Sequence, residues 1–214
     1  MAQTHRLHRE LRPAPVPKPL AARAGRAVRA ALPTLEIGQP APDFRAMDSN
    51  GQTHRLSRYL GHHVVLEWTN FDCPYADKHY QTGSMQALQH LARQNGVAWF
   101  TVLSSAPGLH GHADGPLANE HVRQRKAVPW AVLLDPQGRL GRAYGALTTP
   151  HVFMLDPEGN LIYRGAVDDT PSAHAEDVEQ ASNFVRAALE QALAGQPITK
   201  PITRPYGSTV KYET

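Results

Sequence analysis

The chain has 214 residues, 41% of them hydrophobic and 19% charged, which fits one soluble globular domain with extensions and excludes a wholly disordered chain. No apolar run reaches the roughly 18 residues of a membrane span, and a single cysteine excludes an internal disulfide framework or a thiolate-rich structural zinc site. The net charge of +3 is uneven: residues 1–34 carry seven basic groups against Glu10, leaving 15 basic and 18 acidic groups in the rest. The body is therefore mildly acidic and offers no basic surface for nucleic acid.

Residues 1–34 hold five prolines and no sustained apolar periodicity, and read as a basic, disordered N-terminal extension. Arg23, Arg26 and Arg29 interrupt what a secretion signal would need as an apolar core. The folded body is expected over residues 35–195, followed by an irregular C-terminal tail over 196–214. Residues 44–56 read as an N-terminal hairpin about Asn50-Gly51, since that dipeptide supplies the positive φ angles of a tight turn. Residues 64–69 form a β-branched apolar run, a buried strand. A helix is expected from Pro74 towards Gln94, kinked at Gly83, with Met85, Leu88, Leu91 and Ala92 on one face.

Further strands are expected over 97–103 and 131–134, with a helix over 117–126 between them. Leu134-Asp135-Pro136-Gln137-Gly138 and Leu155-Asp156-Pro157-Glu158-Gly159 read as a recurring turn. A strand over 151–155 and its hairpin partner over 161–164 precede a last helix, with Val178, Ala181, Val185, Ala188, Leu189 and Ala192 on one face. The sum is an α/β domain, a mixed central sheet flanked by helices.

Cys73 is the most informative residue. It follows a buried strand and immediately precedes Pro74, the expected first residue of a helix. A thiol there faces unpaired N–H groups and the positive end of the helix dipole, which favour the nucleophilic thiolate. A buried, inert cysteine is the competing reading. Glu67, on the strand six residues earlier, is a candidate general base if it points inward and a surface group if it points outward. Thr69 and Asn70 are placed to hydrogen-bond the sulfur or a bound oxidant, or else to cap the helix. Lys78 and His79 read as surface decoration. The histidine clusters His62-His63 and His110-Gly111-His112 lack metal-ligand spacing, so no metal and no cofactor are expected.

This order of elements resembles the thioredoxin fold. Cys73-Pro74-Tyr75-Ala76 is similar to a thioredoxin-type Cys-Pro-Tyr-Cys whose second cysteine is Ala76, and Thr149-Pro150 to the cis-proline loop. Ile37-Gly38-Gln39-Pro40-Ala41-Pro42-Asp43-Phe44 resembles the opening of the redoxin branch, which includes alkyl hydroperoxide reductase and thiol-specific antioxidant proteins. Trp68-Thr69-Asn70, Lys78-His79-Tyr80 and Tyr206-Gly207 with Val210-Lys211-Tyr212 are similar to a group of bacterial thioredoxin-like redoxins.

The resemblance implies a one-cysteine thiol oxidoreductase, peroxiredoxin-like and antioxidant. Cys73 would attack a peroxide or a disulfide, and an external thiol (a small thiol or a thioredoxin-like protein) would release the product. It places Trp68, Pro74 and Tyr75 around the sulfur with Thr149 and Pro150 beside the substrate. It also suggests an extracytoplasmic location, whereas the N-terminal segment reads as cytoplasmic. Three positions depart from the family pattern. Leu66 and Asn70 stand where peroxiredoxins carry Pro and Thr or Ser, Ala76 removes one resolving thiol, and Ser208 stands where relatives often carry a C-terminal cysteine. The rival class is a non-catalytic thioredoxin-fold binding module that has lost its resolving cysteines.

Overall fold

The computed structural model describes residues 35–213, so the expectations for residues 1–34 lie outside the described residues. β1 (Arg45–Asp48) and β2 (Thr53–Arg55) form the expected hairpin, and Asp48 caps its turn by accepting from the Asn50 and Gln52 amides. β3 (Val64–Trp68) and β4 (Ala98–Leu103) are fully buried strands paired in parallel, and β5 (Ala131–Leu134) continues the parallel set. Helices cover both faces of such strands, so their sequences are continuous apolar runs, not alternating ones.

Between β3 and β4 stand α1 (Pro74–Gln81) and α2 (Ser84–Gln94). Gly83 breaks the expected single helix: at φ 76° it is left-handed, a conformation open to glycine at no steric cost. Met85, Leu88 and Ala92 of α2 are fully buried, the two larger side chains contributing about 1.5–3 kcal/mol each by area removed from water.

α3 (Gly115–Gln124) leads to β5, and α4 (Arg139–Tyr144) follows it. α4 was not expected. The first Asp-Pro-Gln-Gly turn opens a helix, because the Asp135 carboxylate accepts from the Leu140 and Gly141 amides. β6 (Thr148–Thr149), β7 (His151–Leu155) and β8 (Leu161–Gly165) come next. α5 (Phe184–Leu193) begins later than its apolar pattern suggested, since Asn183 caps it by accepting from the Arg186 amide and Val178 lies in a preceding 3-10 turn.

The main sheet runs β2-β1-β5-β4-β3-β7-β8, with β7 antiparallel to β3. One face carries Leu66, Trp68, Phe100 and Phe153 against Phe44 and Tyr144. The other carries Val65, Trp99 and Met154 against α2 and α5. The tail is irregular except for β9 (Ser208–Thr209), which pairs antiparallel with β6 in a separate two-stranded ribbon.

Candidate active site

Strand register brings the chemistry together. Trp68, at the carboxyl end of β3, pairs with His151, the first residue of β7. The turn leaving β3 and the Thr149-Pro150 peptide entering β7 therefore meet at one end of the sheet, where open α/β sheets place their ligands. The Thr149-Pro150 bond is cis.

Cys73 is the N-cap of α1 in extended conformation, with Pro74 at the first helical position. The turn before it is built by Asn70, whose Oδ1 accepts from the Asp72 amide at 2.8 Å while its backbone carbonyl accepts from the Cys73 amide at 3.0 Å. Gly111 packs so tightly on Asn70 that a Cβ there would lie 2.1 Å from Nδ2. Asn70 thus builds the turn through its two oxygens and makes no hydrogen bond to the sulfur.

The Cys73 thiol is 1% exposed. It donates to the Thr149 carbonyl at 2.9 Å, and the Ser208 hydroxyl lies 3.1 Å from Sγ. Pro74 is exposed and Tyr75 half-buried, its ring meeting Tyr206 edge-on at 6.1 Å. Thr149 and Pro150 are buried beneath the tail. The Thr69 hydroxyl is buried with no hydrogen-bond partner.

Two expected site residues lie elsewhere. Trp68 is a core side chain: strand alternation turns it away from the Glu67 side, and its indole N–H donates to Ser104, itself bonded to Asp135. Glu67 points inward and is fully buried. It accepts from Tyr80 at 2.8 Å, Trp99 at 3.0 Å and Thr101 at 3.3 Å, and makes no hydrogen bond to Cys73. Burial pushes its carboxyl pKa up, against the lowering effect of those donors.

Lys78 and His79 correct the surface reading, since both are essentially inaccessible. The Lys78 ammonium sits 3.2 Å from Asp168 Oδ2 and donates to the Thr170 carbonyl at 2.8 Å. His79 Nε2 is 3.8 Å from the same carboxylate, and burial drops its pKa to about 4. Tyr206 donates its hydroxyl to Asp168 Oδ1. The recurrence of charged residues at consecutive positions of α1 hid this cluster, because the partner Asp168 is 90 residues away. His151, beside the cis peptide, accepts from the Leu147 amide through Nδ1, and burial pushes its pKa down to about 3.

The Redoxin family model matches residues 36–182. The chain belongs to the Redoxin family. It is 26% identical over 127 residues to thiol-disulfide oxidoreductase ResA of Geobacillus thermodenitrificans, covering 59% of this chain and 67% of that protein. It is 23% identical over 150 residues to peroxiredoxin Bcp of Bacillus subtilis, covering 60% and 83%. The thioredoxin domain of a thiol-disulfide oxidoreductase from Bacteroides vulgatus superposes with a TM-score of 0.51 at 17% identity, covering 68% of this chain and 97% of that one. The redoxin therefore has the thioredoxin-like fold expected from Cys73-Pro74 and Thr149-Pro150. Among the described residues no helix is long and apolar enough to cross a membrane.

Proposed function

We propose that this redoxin is a one-cysteine thiol–disulfide oxidoreductase with Cys73 as nucleophile. The observation that carries the reading is the contact of the Cys73 thiol, at the start of α1, with the carbonyl that precedes cis-Pro150. The thiolate attacks one sulfur of a substrate disulfide, forming a mixed disulfide while the other sulfur leaves as thiolate. An external thiolate then attacks the substrate-side sulfur, and Cys73 is released with its electron pair. No second cysteine exists in the chain to do this. Pro74, Tyr75, Thr149 and Pro150 wall the sulfur. Glu67 supports α1 through Tyr80 instead of taking the thiol proton directly.

Disulfides are favoured over peroxides by the groups around the sulfur. A peroxide needs hydrogen-bond donors along its O–O bond, whereas the groups bonded to Sγ are a carbonyl and one hydroxyl, both acceptors of the thiol. The test is intact mass after brief exposure to oxidised glutathione or to hydrogen peroxide with a sulfenic-acid trap, with Cys73→Ser as control. A Cys73-dependent glutathione adduct is expected. Trapping by peroxide alone would make the protein a peroxidase, and no reaction with either would leave a binding module.

A further inference from the structure

A thiol that opens a helix at the end of a sheet has nothing on its own element to bury it, yet Cys73 is only 1% exposed. The cover comes from the tail. β9 pairs with β6, the two residues directly before Pro150, and brings Ser208 to Sγ. Gly207, at φ 129°, passes so close that a Cβ there would lie 2.0 Å from the Thr149 carbonyl oxygen, the acceptor of the thiol. The Val210 amide donates to the Leu147 carbonyl at 3.0 Å, and the Ala106 amide to the Lys211 carbonyl at 2.9 Å. Tyr206, where the cover begins, is a side-chain anchor, and Thr203 ties the chain before it to Arg164 and Ala166. The Tyr206 ring lies against Tyr75 with the Lys78 ammonium 5.2 Å from its centroid, and its hydroxyl donates to Asp168, the buried partner of Lys78.

We propose that residues 206–209 are a strap over Cys73, and that Tyr206 and Asp168 are positioning residues that latch it. Cys73 meets a substrate only when the strap lifts, so latch strength sets the reactivity of the thiol. This rests on the reading of Cys73 as nucleophile, but it concerns access and not chemistry. The strap is tied to β6 by a two-residue ladder, a short span for independent stability. The Tyr206–Asp168 bond has a charged acceptor, the stronger kind of hydrogen bond, and is the contact whose loss should tell most. Because Lys78 is on α1, the same carboxylate connects the strap to the helix that carries the sulfur.

The experiment is the alkylation rate of Cys73 by a small maleimide in the native full chain, over a range of reagent concentrations. Wild type should saturate at high reagent, where opening becomes limiting. Tyr206→Phe should react about tenfold faster, the factor expected for one hydrogen bond to a charged acceptor, with its melting transition retained. Gly207→Ala, which drives a Cβ into the Thr149 carbonyl, should act in the same direction through a different contact. If either variant misfolds, hydrogen exchange at the Val210 amide of wild type serves instead, and should give the opening constant that limits alkylation. Unchanged alkylation in the variants, or Val210 exchange unrelated to the alkylation limit, overturns the strap. The two proposals fail separately. Faster alkylation without any mixed disulfide would keep the strap and lose the oxidoreductase, and disulfide exchange with no variant effect would do the reverse.

Discussion

The hydroxyl oxygen of Ser208 stands 3.1 Å from the sulfur of Cys73, a residue 135 positions earlier in the chain. A thiol placed there would be within easy reach of a 2.05 Å sulfur–sulfur bond. Ser208→Cys should therefore close a bridge to Cys73 under mild oxidation, seen as a mass lower by two hydrogens and loss of both free thiols. Closing so long a loop should raise unfolding stability by about 4 kcal/mol, measured in urea. Two thiols that stay free in the folded, oxidised sample would show that the tail does not hold position 208 at the sulfur.

Cys73→Ala should abolish glutathione adduct formation while leaving the fold nearly intact. The sulfur fills little volume, so a cost of about 1 kcal/mol is expected, a lowering of melting temperature of roughly 2–4 °C. A collapse of the fold would make Cys73 chiefly a core residue.

Acid should weaken the fold through two histidines. His79 and His151 have native pKa values near 4 and 3, against an ordinary value of 6.5, because burial disfavours their charged forms. Between those limits the unfolded chain binds protons that the native one does not. Their stabilising contribution is thus complete above about pH 6.5 and is lost as pH falls towards 4. With both titrating, the slope approaches about 2.7 kcal/mol per pH unit. Urea unfolding at pH 7.5, 6 and 5 measures it, and His79→Gln should reduce the slope by about half. A flat profile would mean that these rings are not held neutral.

Glu67→Gln separates support from catalysis. The native carboxyl has a raised pKa, so the unfolded chain ionises first, from about 4.5 upward. Wild type should then lose stability relative to the variant as pH rises through 4.5 towards the native pKa, levelling off beyond it. The rate of mixed-disulfide formation should stay near wild type, since Glu67 is bonded to Tyr80, Trp99 and Thr101 and not to Cys73. A rate lower by about 100-fold or more would return Glu67 to the role of general base.

What could be read from the sequence was mostly local. Asn50-Gly51 announces its hairpin, and Cys73-Pro74 announces a helix start, because turn and cap preferences act over a few residues. The strand runs were readable because burial on both faces leaves a continuous apolar signature. The alternation of Leu66, Glu67 and Trp68 already contained the split between the two faces, and Trp68 could have been assigned to the core from it. Lys78 and His79 were different. Their burial depends on Asp168 and Tyr206, which reach α1 only after the β8–α5 segment and the tail have packed. Pattern reading assigns such residues to solvent, because charged side chains are rarely buried without partners that only the fold supplies. The strap was equally hidden, since two residues of strand carry no periodic signal.

Chain order gives the cover of Cys73 a consequence in time. β3, α1 and the Thr149-Pro150 peptide are all made before the residues that shield the sulfur. The interval before residues 206–209 pack over the site leaves Cys73 without its cover. That is the interval in which stray oxidants, alkylating agents or a neighbouring chain's cysteine have the freest approach. A folding molecule is thus at its most vulnerable until that short segment has packed.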